Sequence, residues 1–255
     1  MLLSDRIYPA TPMKTYLVVG ASRGIGLGLV AELLKDPTTH VLATARVPAR
    51  STGLQELIAT YPSRVTDAAS VERAASDAAT LLPDGQGLNC LLHNAAISHA
   101  PYAPFEHICS PRTPSLIVAR AFLPLLRISA QKQSSVSESQ AKLVFVSSVL
   151  GSLEHSPTWV GLGDMYSVTK AGLGMLARKW GTSLKAEGIC TMVLHPAYVS
   201  TDMGSSVAKW MKDNAPHIAS MSVRESAVLC LGVIHKARIG DAVSFYASDG
   251  STIPW

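Results

Sequence analysis

The stretch Thr15-Tyr-Leu-Val-Val-Gly20-Ala-Ser-Arg-Gly24-Ile-Gly26 decides the fold. It reads as a short β-rich run that stops at a glycine, then a glycine-rich turn. A helical pattern with Leu27, Val30, Leu33 and Leu34 follows. Strand, glycine turn and helix in that order is the context in which glycines serve a phosphate group. Gly20 permits a tight turn, Gly24 lets a pyrophosphate approach the backbone, and Gly26 lets the helix pack close to the strand. Ser22, Arg23 and Ile25 fill the turn, and the helix N-terminus faces the anion. The spacing is Gly-x3-Gly-x-Gly, and a βα turn without a ligand would use glycine for the same steric reasons.

Working outward, residues 1–13 form an N-terminal tail, and His40–Thr44 is a second strand. The two strands and the intervening helix make a parallel, right-handed βαβ unit. Chains that prefer NAD carry an acidic residue at the end of this second strand, for the ribose 2′-hydroxyl. Here the chain reads Thr44-Ala45-Arg46. Arg46, with Arg23 beside it, suits a 2′-phosphate and predicts NADP(H); a solvated surface arginine is the alternative reading.

A helix over 51–60 comes next, and Ser70 opens another that runs to about Leu82. Between them Val65 leads straight into Thr66-Asp67, so the third, edge strand is expected to be missing or degenerate. Leu88–His93 is a strand that ends at Asn94, where a polar side chain can reach a cofactor in the crevice. Residues 98–114 read as irregular. Ser115 to about Leu126 reads as a helix broken at Pro124, and Gln131–Gln140 as a surface loop. Leu143–Val146 and Cys190–His195 are strands, Val223–His235 is a helix, and a last strand lies near Ala242–Tyr246. No repeat or linker divides the chain. The expected fold is α/β: one Rossmann-type doubly wound parallel sheet flanked by helices, over a single domain 14–255.

Composition agrees. Of 255 residues, 47% are hydrophobic and 16% charged, which suits a sheet buried on both faces. The net charge of +4, with no lysine or arginine stripe, argues against a nucleic-acid partner. Cys90, Cys109, Cys190 and Cys230 are scattered, with no Cys-x-x-Cys, and the histidines show no metal-ligand spacing. Residues 1–13 do not read as a signal peptide, and no run of about 18 apolar residues exists. A cytoplasmic chain with no metal and no membrane span is expected.

Tyr166-Ser-Val-Thr-Lys170 places a phenol and an ammonium one helical turn apart. A nearby cation stabilises a phenolate and lowers the tyrosine pKa, which would make a usable proton-transfer group. The same spacing also suits an exposed helical pair. Set in order along the chain, five motifs resemble the short-chain dehydrogenase/reductase family from residue 14 to the end. They are Gly20-Ala-Ser-Arg-Gly24-Ile-Gly26, Asn94-Ala-Ala-Ile, Val146-Ser-Ser148, Tyr166-x3-Lys170 and Pro196-x-Tyr-Val199-x-Thr201. Thr201-Asp202-Met203-Gly204 and the ending Ile253-Pro254-Trp255 are similar to its C-factor and sniffer-type carbonyl reductases and to fungal norsolorinic acid ketoreductases.

The resemblance implies roles. Tyr166 would donate the proton to a reduced carbonyl, and Lys170 would tune it and hold the nicotinamide ribose. Ser148, with Ser147 as competitor, would bond the substrate oxygen. Ser22, Arg23 and Ile25 would lie along the phosphates, Val199 at the carboxamide and Thr201 near the pyrophosphate. It implies NADPH-dependent reduction of a bulky, apolar or aromatic ketone or aldehyde, in fungal secondary metabolism, by a protein that can form homo-oligomers. One departure stands out: Ser110 occupies the position of a family asparagine behind the lysine. It raises the alternative of a cofactor- or partner-binding protein with impaired turnover, or of a non-redox biosynthetic step.

Overall fold

The chain is described by a computed structural model over residues 14–61, 65–68, 75, 82, 86–96, 114–132, 141–240 and 243–255. Seven parallel strands form one sheet in the order β3-β2-β1-β4-β5-β6-β7. They are β1 (Lys14–Val19), β2 (Thr39–Thr44), β3 (Val65–Ala68), β4 (Cys90–His93), β5 (Ala141–Val146), β6 (Ile189–His195) and β7 (Phe245–Ala247). Strand order reverses between β1 and β4, and doubly wound sheets bind ligands in the crevice at that reversal.

Alternation along the central strands divides the core. Leu17, Val19, Leu91, Leu143, Phe145 and Val193 face one layer. This layer holds α3 (Pro114–Gln131) and α4 (Asp164–Lys185). Val18, Val41, Leu92, Val144, Met192 and Leu194 face the other. That side is covered by α1 (Gly24–Leu33), α2 (Thr52–Thr60) and α7 (Val223–Lys236). With both faces covered, strands β1, β2 and β4 are buried almost throughout, as parallel sheets require. Two short helices, α5 (Asp202–Ser205) and α6 (Ala208–Asn214), lie between β6 and α7.

The structure corrects two expectations. The third strand is present: β3 is four residues long and pairs with β2 in the register Val41↔Val65 to Thr44↔Ala68. An edge strand needs only a neighbour's backbone to bond to, so one apolar residue suffices. The helix at 115–126 is not broken at Pro124 but runs through it to Gln131. Burial of Phe122, Leu125 and Leu126 outweighs the proline's cost of about 3 kcal/mol. The tail 1–13, most of the helix expected over 70–82, the irregular stretch from 98 to 113 with Ser110, and Cys109 lie outside the described residues. Most of the loop expected at 131–140 does too. Cys90, Cys190 and Cys230 are buried and form no disulfide among the described residues.

Gly26 fixes how α1 sits on β1. A Cβ there would lie 2.2 Å from the Gly20 carbonyl oxygen and 2.6 Å from Asn94 Nδ2. Gly26→Ala is expected to lower unfolding stability by about 1–3 kcal/mol in urea denaturation, because one of these backbones must move.

Candidate active site

The glycine turn is held from three sides. Asn94, directly after β4, donates from Nδ2 to the Gly20 carbonyl at 3.1 Å. The Gly20 and Ala21 N–H groups donate to Thr44 at the end of β2, to Oγ1 at 3.2 Å and to the carbonyl at 2.8 Å. Ser51 Oγ donates to the Ser22 carbonyl at 2.5 Å. Gly20 and Gly24 take φ of +81° and +56°, the left-handed region glycine adopts freely. Arg23 precedes α1 in an extended conformation, and no side chain caps the first N–H groups of that helix. An uncapped helix N-terminus at a glycine turn fits an anionic diphosphate.

The segment after β6 closes over this turn. A Cβ at Gly24 would lie 3.3 Å from Thr201 Cγ2, so Thr201 rests against the turn. Its Oγ1 accepts the Gly204 N–H at 3.1 Å and caps α5. Val199 is buried and bridged to Met221, with Ser200 N–H donating to the Met221 carbonyl at 2.9 Å. Ala197, two residues earlier, holds φ at +73°, a strained value for a residue with a Cβ.

Arg23 does not join Arg46. It forms an ion pair with Asp202, both side chains exposed, and such a pair contributes little stability. Arg46 stands exposed just past β2. Arg50, at the end of the 3₁₀ turn Pro48–Arg50 in the same connection, is a second exposed arginine that motif reading passed over. Its only signal was its place four residues after Arg46.

Tyr166 and Lys170 lie on α4, whose N-cap Gly163 adopts a left-handed conformation. Lys170 is buried, and its Nζ donates to the Val146 carbonyl at the end of β5, at 2.8 Å. Nζ also sits 5.3 Å from the centroid of the Tyr166 ring. Burial lowers the Lys170 pKa to about 8. Tyr166 departs from the sequence expectation. Burial pushes its pKa up to about 12, and a hydrogen bond from the Ser148 hydroxyl offsets that only in part. The phenol therefore keeps its proton at neutral pH. Of the two serines, Ser148 meets Tyr166, and its Oγ also accepts the Leu150 N–H at 3.2 Å. Ser147 is buried, with its Oγ unpartnered.

A groove of about 310 Å³ opens at the start of α4, lined by Leu150, Trp159, Val160, Asp164 and Ser167, among others. Behind it Leu162, Met211 and Ala215 form a small separate core, with Trp159, Tyr198 and Trp210 packed on it. The Trp159 and Trp210 rings lie 5.8 Å apart. Leu162 and Met211 are therefore packing residues, and Trp159 is the one that borders open space. Among the described residues no cluster could hold a metal ion, and no helix is long and apolar enough to cross a membrane.

A seven-stranded sheet with its strand-order reversal at a glycine turn, and a serine, tyrosine and lysine converging beside it, define a dinucleotide-dependent oxidoreductase architecture. The sequence profile described as short chain dehydrogenase matches residues 14–212. The chain belongs to this family of oxidoreductases. It is 30% identical to the norsolorinic acid ketoreductase of Dothistroma septosporum over 267 residues, covering 94% of this chain and 92% of that one. The NADPH-bound carbonyl reductase from chicken fatty liver superposes with a TM-score of 0.78 at 29% identity, covering 96% of this chain and all of that one. The carbonyl reductase Sniffer of Drosophila melanogaster superposes with a TM-score of 0.80 at 26% identity, covering 95% of this chain and all of that one.

Proposed function

We propose that residues 14–255 form a single catalytic domain that reduces a ketone or aldehyde to an alcohol with NADPH. The observation that carries this reading is the meeting of Ser148, Tyr166 and Lys170 next to the crevice onto which the glycine turn opens. The nicotinamide, when bound, supplies the hydride. Gly20, Ser22, Gly24, Ile25, Gly26 and Thr201 hold the diphosphate side, with Arg23 and Asp202 closing over it. Asn94 braces the turn, Val199 meets the carboxamide and Arg46 takes the 2′-phosphate. Lys170 holds the ribose.

At the reacting carbonyl, two hydroxyls are aimed at one oxygen. Ser148 donates a hydrogen bond that strengthens as negative charge develops there. Tyr166 delivers the proton that its buried setting retains at neutral pH. The groove bordered by Trp159, Leu150 and Val160 favours a bulky apolar or aromatic carbonyl compound. The similarity to a norsolorinic acid ketoreductase supports a place in fungal secondary metabolism. The absence of a spanning helix among the described residues is compatible with a cytoplasmic site.

The test is NADPH oxidation with a panel of aromatic ketones, beside NADPH protection in a thermal melt. Protection without turnover of any ketone would replace this reading with that of a cofactor-binding protein. Arg46→Asp is expected to reduce the preference for NADPH over NADH by about 10- to 100-fold, the range of one lost charge-assisted bond of about 1.5–3 kcal/mol. An unchanged ratio would assign the 2′-phosphate elsewhere, with Arg50 the next residue to change.

A further inference from the structure

We infer that Trp255 is a positioning residue that clamps the segment following Ser148 onto the Tyr166–Lys170 face of α4. The inference rests on the reading of Ser148, Tyr166 and Lys170 as the reductase site.

Four residues of α4 stand at successive steps of four: Tyr166, Lys170, Gly174 and Arg178. At that spacing they form one stripe along the helix. Its first half carries the chemistry, and its second half carries Trp255. A Cβ at Gly174 would lie 3.0 Å from Trp255 Cζ3 and 3.2 Å from Cε3, so the indole rests where any other residue would have a side chain. The Arg178 guanidinium covers the same ring at 5.0 Å, and Phe245 of β7 meets it at 5.7 Å. The segment is brought there by the turn after β7. Asp249 accepts the Ser251 N–H at 2.8 Å, and the Ile253 N–H donates back to the Phe245 carbonyl at 2.7 Å.

From this seat the backbone reaches across to the other wall of the site. The Trp255 main-chain oxygen accepts the Glu154 N–H at 3.2 Å. The Pro254 carbonyl accepts the Ser152 hydroxyl at 2.6 Å. That hydroxyl, fully enclosed, accepts the His155 N–H at 3.2 Å in turn. Between these ties and Ser148 lies the short turn Val149–Gly151, pressed so closely on α4 that a Cβ at Gly151 would lie 2.8 Å from Lys170 Cβ. The segment that sets Ser148 against Tyr166 is thus held on one side by Lys170 and on the other by residues 254–255. Two main-chain oxygens do the holding, and the indole fixes where they stand. None of these contacts touches the glycine turn or Arg46, so the clamp acts chiefly on reacting geometry, with Lys170 its one link to the cofactor.

The experiment compares Trp255→Ala and Trp255→Phe with the wild-type chain in two readouts. In hydrogen–deuterium exchange, Trp255→Ala is expected to lose protection over 152–156 while strand β6 keeps it, and Trp255→Phe is expected to retain most of it. With an aromatic ketone such as 1-tetralone or whichever panel member turns over, Trp255→Ala is expected to lose about 10- to 100-fold in kcat, the cost of a misplacement of about 1 Å. The Kd for NADPH changes far less than kcat, because the glycine turn and Arg46 stay in place, and Trp255→Phe recovers most of the rate. Leu231→Ala, in α7 on the opposite face, serves as the control for lost stability. Unchanged exchange at 152–156, wild-type kcat in Trp255→Ala, or an equal kcat loss in Leu231→Ala at matched melting temperature would each overturn the clamp. If the wild-type chain binds NADPH but reduces no ketone, the reductase reading fails while the exchange readout still decides the clamp.

Discussion

Tyr166→Phe is expected to reduce the rate of NADPH-dependent ketone reduction by about 10²- to 10⁴-fold at pH 7, the usual share of a positioned acid. NADPH affinity should change little. The substitution removes one oxygen and leaves the ring that lies against Lys170, so folding and the cofactor cradle are untouched. The environment of that oxygen also fixes a pH signature. Burial raises the phenol to about 12 and Ser148 recovers only part of the shift, so the proton is in place throughout the neutral range. Reduction should therefore be flat in pH as far as Tyr166 is concerned. Its decline should begin near pH 8, where buried Lys170 loses its charge. The reverse reaction, alcohol oxidation with NADP⁺, needs the phenol oxygen to accept a proton and should rise with pH across the same range. Initial rates in both directions from pH 6 to 9 check this. A Tyr166→Phe enzyme within about tenfold of wild type would remove the tyrosine from its role.

How much of the structure the sequence discloses follows the reach of each signal. The β1–turn–α1 unit is local: its apolar run, glycines and helical pattern lie within twenty residues, and the structure places strand and helix there. The Tyr166–Lys170 spacing is equally local, and one helix carries both residues. β3 was not legible, because its strand is made by pairing with β2 and not by its own apolar pattern. Pro124 misled for a related reason. A breaker's cost is visible in sequence, whereas the burial of Phe122 and Leu126 that offsets it is a property of the packed helix. The sign of the Tyr166 shift followed the same rule. Spacing reveals a nearby ammonium, but it cannot reveal that the phenol is buried and that the ammonium is engaged with the Val146 carbonyl. In sequence, Ser148 is preferred over Ser147 by resemblance alone; the physical reason, that its hydroxyl meets Tyr166 while that of Ser147 is buried and unpartnered, is a tertiary fact. Arg23, read as a partner for Arg46, found Asp202, which lies 179 residues away in sequence.

Acid should unfold this protein through its buried histidines before most carboxylates are protonated. His93 ends β4 beside the crevice, fully buried, with its Nε2 unpartnered. Burial, and then the charge of Lys170, lower its pKa to about 4. His195 ends β6 with its Nδ1 enclosed; burial lowers it to about 4 as well, although Asp249 pulls the other way. In the unfolded chain both titrate near the ordinary value of about 6.5. Above that value neither state binds the proton, and stability is complete. As pH falls below it the unfolded chain gains protons that the folded chain refuses, and stability falls until about pH 4. The loss amounts to about 3 kcal/mol for a histidine shifted over that window. His195 as a residue is only partly buried, so its share is the smaller. Urea unfolding at pH 7, 6, 5 and 4 should show a loss of several kcal/mol, against a typical total of about 5–15 kcal/mol. His93→Phe should flatten more than half of that slope. Lys170→Met should flatten it in part without touching His93 itself, because the lysine charge is one of the two causes that keep the imidazole neutral. A stability that is level from pH 7 to pH 4 would mean that both imidazoles are solvated, and with them the floor beneath Lys170.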